Sequence, residues 1–304
     1  MLSINIGTIT EAFAEEHYDE LKKWVIRRKN KYANDSFLKN FIDNNLETIL
    51  KGNPIELKCK DSEIKTNRFY SRFKIEIEKI FDYSAFRKSK KYNGYILSEK
   101  LNIKCCPYCN RNYTSSHQTF YKDINGEIKD KYVFPEFDHF YPKDKYPLLA
   151  ISFYNLIPSC NICNTHFKQN REPDKIFNPY KIVSSNHFNF KSFPNDVSTL
   201  YGAKKNVILD FDYNSDDETN EEIKNSIEFF GIKDTYEKCH SKLIEDIIYK
   251  RLAFSDRYIK ELQTTYKISF EDAYRIVFET HFQDENLNKR PFSKLKKDIY
   301  ESLK

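Results

Sequence analysis

Four cysteines form two close pairs in the middle of this 304-residue chain. Cys106 and Cys109 lie in "CCPYCNRNY", and Cys160 and Cys163 lie in "SCNICN". Two residues separate the members of each pair, a spacing that lets a tight turn direct both sulfur atoms at one tetrahedral zinc ion. The pairs therefore predict a structural zinc held by four thiolates, with no coordination position left open for catalysis. A redox role, or burial without a metal, is the alternative.

The remaining three of the seven cysteines are not expected to bind metal. Cys105 is adjacent to the first pair but out of register with it, so we predict that it does not bind the metal. Cys59 and Cys239 are isolated, which predicts small buried residues. Paired cysteines in a reducing compartment favour metal ligation over disulfides.

Side chains that could act on a phosphate lie between the cysteine pairs and just after them. Asp138 and His139 are adjacent in "FDHFYPK", Asn155 lies in "YNLIPSC", and Asn164 follows Cys163. A hard divalent cation prefers oxygen ligands, and one carboxylate with one amide leaves room for phosphate oxygens. A histidine with a pKa of about 6.5 can accept a proton from water near neutral pH. The alternative is a surface Asp-His dipeptide without a catalytic role.

The segments "CPYC", "FDHFYPKDKYPLLA", "YNLIPSC" and "CNICN", over about residues 104–170, resemble the HNH endonucleases, or ββα-metal nucleases. The match is to the form in which paired cysteines flank the active hairpin. The resemblance implies that Asp138 and Asn164 bind a catalytic Mg²⁺ or Mn²⁺. It implies that His139 is the general base and that Asn155 braces the loop. The implied activity is hydrolysis of DNA phosphodiester bonds, leaving 5′-phosphate and 3′-hydroxyl ends.

Asp138 and His139 would point to opposite faces of a regular strand, so a turn or bulge is expected in "EFDHFYP". Basic side chains near the motif are candidate phosphate contacts, with plain solvation as the alternative. They are Arg111, Lys143, Lys145 and Lys168. Many HNH relatives carry a lysine three residues after the final His or Asn, where this chain has Phe167. His166 is either a further ligand or a surface imidazole.

The block "DHFYPKDKYPLLAISFYNLIPSCNICN" also resembles nucleases encoded in bacterial anti-phage systems such as Septu and related retron operons. This resemblance implies an ATPase partner in addition to DNA. A zinc-stabilised module that binds nucleic acid or protein without cutting it is the alternative function.

The pattern of apolar residues predicts an α+β protein that is mostly helical. The resemblance to the HNH nucleases implies a central zinc-stapled ββα unit between the two helical regions. The predicted divisions are 1–101, 102–180 and 181–304. Helices are expected from Thr10, over Ser36–Leu50 and over Ser62–Phe86, and again from about Glu221. "NVILDFDY" alternates as a strand does, and "NSDDETNEE" is expected to be a loop.

The net charge of +5 is concentrated in residues 1–104, which hold 21 basic and 15 acidic side chains. Such an excess suits contact with a phosphate backbone, although a solvated helical face has the same composition. No apolar stretch approaches the roughly 20 residues that cross a bilayer, and the N-terminus lacks the sections of a signal peptide. We therefore expect a cytoplasmic protein with no membrane partner.

Overall fold

The computed structural model describes residues 3–4, 8–65, 69–173, 175–181, 183–184, 186–194 and 207–303. These residues form a mixed fold of helices and two-stranded antiparallel sheets. The N-terminal helices α1 to α6 are Thr8–Tyr32, Ser36–Lys51, Pro54–Lys65, Phe69–Ile80, Tyr83–Arg87 and Gly94–Leu101. The strands β1 to β4 are His117–Lys122, Ile128–Val133, Glu136–His139 and Leu156–Ser159. A short helix α7, strands β5 and β6, and helices α8 to α12 follow: Ile162–Lys168, Phe188–Pro194, Val207–Tyr213, Asp217–Phe229, Ile232–Ala253, Asp256–Tyr266, Phe270–Phe278 and Ser293–Ser302.

The first two predicted helices are confirmed as α1 and α2, but the single helix expected over Ser62–Phe86 is wrong. That stretch contains the end of α3, all of α4 and most of α5. Residues 66–68, which the prediction also included, lie outside the described residues. Asp82 starts α5 as a separate helix because its carboxylate accepts a hydrogen bond from the Ala85 amide at 2.9 Å. Pro54 is the first residue of α3, where its fixed φ suits the first turn of a helix.

The C-terminal third is helical as predicted, and the predicted strand is β6. It pairs with β5, which the sequence did not predict, as it did not predict α6 or the β1–β2 hairpin. The acidic segment after β6 is not all loop, because Asp216 accepts a hydrogen bond from the Thr219 amide and α8 begins at Asp217. Ser255 caps α10 in the same way, by accepting a hydrogen bond from the Tyr258 amide, which separates α10 from α9.

One buried apolar cluster draws members from all three predicted divisions of the chain, from Ile4 to Ile299. The division itself therefore stays a prediction. Tyr141, Tyr146 and Phe153 belong to this cluster, as expected of core residues. The prediction for the isolated cysteines is wrong, because Cys59 and Cys239 are exposed.

Across the described part of the chain, no helix combines the length and the apolar character needed to cross a membrane.

Candidate metal centre and adjoining cavity

The two cysteine pairs come together in one buried cluster. The Sγ atoms of Cys106, Cys109, Cys160 and Cys163 all lie within 4.8 Å of one another. The sulfur atoms of Cys109 and Cys160 are 3.9 Å apart. Zn–S bonds of about 2.3 Å in a tetrahedron require sulfur atoms about 3.8 Å apart. The four residues therefore fit one zinc ion, as their spacing predicted.

The turn that carries the first pair is fixed by hydrogen bonds to its backbone. The Asn110 amide donates to the Cys106 carbonyl at 2.7 Å, as expected of a knuckle turn. The Asn112 side chain donates to the Cys160 sulfur at 3.3 Å, which favours a thiolate there. Cys105 is buried beside the cluster but outside it, and burial raises the pKa of its thiol to about 12. Cys105 is thus a neutral bystander.

Strands β3 and β4 form an antiparallel hairpin, and α7 follows directly. Asp138 is opposite Ile157 and His139 is opposite Leu156, so His139 is the last paired residue of β3. α7 has π-type hydrogen bonding, in which the Gln169 amide donates to the Asn164 carbonyl at 2.7 Å. The second cysteine pair spans the junction between β4 and α7, so a metal ion held by the four cysteines would tie the helix to the hairpin.

Asp138, His139 and Asn164 line one cavity of about 520 Å³. The strand ends at His139, and the chain then bends away at Phe140. The bend lies within the stretch where a turn was expected, but it follows both residues, which are consecutive pairs of a regular ladder. The cavity is open to solvent on one side and has room for a hydrated cation and a phosphate group.

The Asp138 carboxylate is 1% exposed. The Tyr108 hydroxyl donates to its Oδ2 atom at 2.6 Å. Burial raises the pKa of Asp138, while the nearby Lys168 ammonium and the Tyr108 hydrogen bond oppose that rise. Tyr108 lies between Cys106 and Cys109, so the turn that carries the first cysteine pair positions Asp138 through Tyr108.

The His139 imidazole has a defined tautomer. Its Nε2 atom lies 2.9 Å from the Ala150 carbonyl, which can only accept, so Nε2 carries the proton and Nδ1 keeps its lone pair. Burial lowers the pKa of His139 to about 3, well below the value of about 6.5 on which the sequence argument relied, so the ring is neutral at neutral pH and is a weaker base than expected. The Tyr83 ring packs against the imidazole at a centroid distance of 4.5 Å and an interplanar angle of 80°. The imidazole is thus oriented from two sides.

Asn155 is fully buried and hydrogen-bonded through both ends of its amide. Its Oδ1 accepts from the Tyr141 amide at 2.7 Å. Its Nδ2 donates to the carbonyls of Tyr141 at 3.1 Å and Leu149 at 2.8 Å. These contacts join the two ends of the loop that carries the Ala150 carbonyl, the partner of His139.

Asn164 projects from α7 towards β3. Its Nδ2 donates to Glu136 Oε2 at 2.8 Å, and Asn161 donates to the other carboxylate oxygen at 3.0 Å. Because the amide nitrogen is engaged, the Oδ1 atom of Asn164 is the donor available to a cation. Glu136 also lines the cavity, on the same face of β3 as Asp138. Glu136 was not among the predicted site residues. It lies two residues before Asp138, so the alternation of side chains along a strand could have indicated that both share one face.

The four basic candidates differ in position. Lys143 lines the cavity, whereas Lys145 is paired with Glu172 at 3.0 Å. Lys168 is fully buried and donates to the Arg171 carbonyl at 2.7 Å, so in this conformation its ammonium does not reach the surface. Arg111 is partly buried and does not line the cavity. His166 is exposed and is likewise outside the cavity lining.

The chain is similar to the Septu protein PtuB of Bacillus thuringiensis, with 39% identity over 77 residues. That match covers 24% of this chain and 28% of the relative, so the similarity is to just over a quarter of that protein. No model of a known protein family matches the chain. No solved structure matches it either.

Proposed function

We propose that the protein is a metal-dependent HNH endonuclease that hydrolyses DNA phosphodiester bonds. The observation that carries this proposal is the convergence of Asp138, His139 and Asn164 on one cavity, on a β-hairpin and helix tied together by the cysteine cluster. The residue types supply two oxygen ligands and one base. Mg²⁺ or Mn²⁺ bound there would supply a positive charge that stabilises the pentacovalent phosphate and the leaving oxygen.

In this mechanism, each side chain has one role. Asp138 and the Oδ1 atom of Asn164 hold the cation. His139 accepts a proton from the attacking water at Nδ1, because its Nε2–H is engaged by the Ala150 carbonyl. Asn155 holds the loop that presents that carbonyl. The four-cysteine zinc takes no part in the chemistry and positions Asp138 through Tyr108.

The similarity to a Septu protein supports a place in bacterial anti-phage defence. In that setting an ATPase subunit would be the partner, and the helical regions on either side of the hairpin would bind it or the DNA. Such a partner would control when the nuclease cuts.

The test is cleavage of supercoiled plasmid with Mg²⁺ or Mn²⁺, by the protein alone and with any ATPase that a neighbouring gene encodes. His139→Ala should abolish cleavage while zinc content and melting temperature stay as in the wild type. His166→Ala is the matched control, because this histidine is exposed and does not line the cavity. It should retain cleavage.

A wild type that cuts no DNA under these conditions but binds it would contradict the proposal and favour the non-catalytic binding module. Equal cleavage by wild type and His139→Ala would point to a contaminating nuclease.

A further inference from the structure

We propose that Arg87, on α5 of the N-terminal helical region, binds a phosphate of the DNA backbone beside the scissile bond. This inference rests on the proposed nuclease function and adds to it a contact from outside the hairpin unit. Arg87 is exposed, lies 49 residues or more from the hairpin in sequence and lines the same cavity as Asp138 and His139. Nothing in the local sequence assigns it to that site.

The short helix α5 is held firmly against the rest of the molecule. Arg28, on α1, donates to the Lys79 carbonyl at 2.8 Å and pairs with Asp82 at 3.0 Å. Phe86 is fully buried and packs among the rings of the main core. Arg87 therefore projects from an anchored segment, as a contact that positions a substrate requires.

The guanidinium group is oriented without being neutralised. It lies over the ring of Phe134, 5.1 Å from the centroid, and 6.0 Å from the centroid of Tyr83. Phe134 is in turn packed against Gly94, where an added Cβ would lie 2.9 Å from the ring. Stacking on an aromatic face leaves the edge N–H groups of arginine free to bind an anion in a bidentate manner.

Arg87 and Lys143 both lie near the same aromatic ring. The Lys143 ammonium lies 5.5 Å from the Tyr83 centroid, and Asp138 and Glu136 line the same cavity. Neither cation has an ion pair among the described residues. The carboxylates suit a divalent cation and the two cations suit phosphate oxygens, so a DNA strand in the cavity would meet both.

Lys168 was a candidate phosphate contact, but its position does not let it serve as one. Its ammonium is buried against the carbonyls of His139 and Arg171 and faces away from solvent. The α7 end of the cavity therefore lacks an accessible lysine, and the basic side of the cavity is supplied by α5 and the loop after β3.

The experiment measures binding of a duplex DNA by fluorescence anisotropy between 50 and 200 mM KCl, with no divalent cation added, in the His139→Ala background. Each phosphate contact contributes about 0.9 to the slope of log K against log salt. Arg87→Gln should lower that slope by about 0.9 and weaken binding roughly tenfold at the lower salt concentrations. Arg87→Lys should keep the slope, because it keeps the charge.

Arg257→Gln is the matched control, since it removes the same group from exposed α10, where Arg257 pairs with Glu261. It should bind as the parent does. If Arg87→Gln also keeps the parent slope while the wild type cuts plasmid, the inference about Arg87 fails and the nuclease proposal stands. If the wild type cuts nothing but Arg87→Gln lowers the slope, the phosphate contact stands and the nuclease proposal fails. A slope lowered equally by Arg257→Gln would overturn the specific contact.

Discussion

Replacing Asn155 by alanine tests the loop that orients the candidate base. The side chain is fully buried and makes three hydrogen bonds, at 2.7 Å to the Tyr141 amide and at 3.1 and 2.8 Å to the carbonyls of Tyr141 and Leu149. Alanine would remove all three of these bonds from a buried position. The Ser152 amide still donates to the Leu149 carbonyl at 3.2 Å, and the Phe140 amide still donates to the Asn155 carbonyl at 2.9 Å, so the loop that presents the Ala150 carbonyl to His139 would be held by fewer contacts.

The cost follows from the hydrogen bonds. At about 1 kcal/mol each, three bonds contribute about 3 kcal/mol to the free energy of unfolding, and unsatisfied buried groups raise this towards 5 kcal/mol. An entropy of unfolding of about 2 cal/mol/K per residue, over 304 residues, converts 3 kcal/mol into a fall of about 5 °C in Tm. Plasmid cleavage should also fall at temperatures where the variant remains folded, because His139 loses its orientation.

The assay is urea unfolding and differential scanning calorimetry, followed by cleavage at 20 °C. Asn214→Ala is the control, since Asn214 is exposed and its side chain donates one hydrogen bond, to the Asn186 carbonyl at 3.0 Å. It should change the free energy of unfolding by less than about 0.5 kcal/mol. An Asn155→Ala protein within 1 kcal/mol of wild type, with full cleavage, would refute the reasoning.

Three further predictions concern stability. Cys106→Ser should abolish zinc binding, measured by elemental analysis, and should lower Tm by more than Asn155→Ala does. One zinc ion per chain in the variant would contradict the four-cysteine site. Burial lowers the pKa of His17 to about 4, so the stability that its neutral form contributes is complete above pH 6.5 and is lost as pH falls towards 4. By pH 5 this loss is about 2 kcal/mol, and His17→Gln should remove that part of the pH dependence of urea unfolding; identical pH profiles would contradict it. Lys294→Met removes the ammonium that lies 2.8 Å from the buried Asp298 carboxylate and should lower the free energy of unfolding by about 3–5 kcal/mol. Adding Asp298→Asn in the same chain should recover much of this loss, and additive losses in the double variant would contradict the pairing.

The clustering of the four cysteines was predictable because metal-ligand geometry acts over a short span of sequence. Two residues between thiolates suffice to direct both sulfur atoms at one ion, so the pairs at Cys106 and Cys160 indicated their partners in advance. A turn or bulge was expected in "EFDHFYP" because adjacent side chains cannot share a face of a regular strand. The chain bends in this stretch, but only after His139.

The walls of the cavity were not predictable in the same way. Arg87 and Tyr83 line the cavity because of the way α5 packs. The start of α5 was not predicted, because the apolar periodicity of the sequence continues past Asp82. A lysine at position 168 was expected at the surface, yet its ammonium is buried and donates to two carbonyl groups. These positions depend on tertiary contacts that no local pattern encodes.

The most direct measurement of the central claim is anomalous diffraction at the manganese edge from crystals grown with Mn²⁺. The account predicts one manganese peak in the cavity, about 2.2 Å from an Asp138 carboxylate oxygen and from Asn164 Oδ1, on the side that His139 Nδ1 faces. It also predicts zinc, and no manganese, within the four cysteines. Manganese bound elsewhere, with this cavity empty at saturating Mn²⁺, would contradict the assignment of these residues to one catalytic centre.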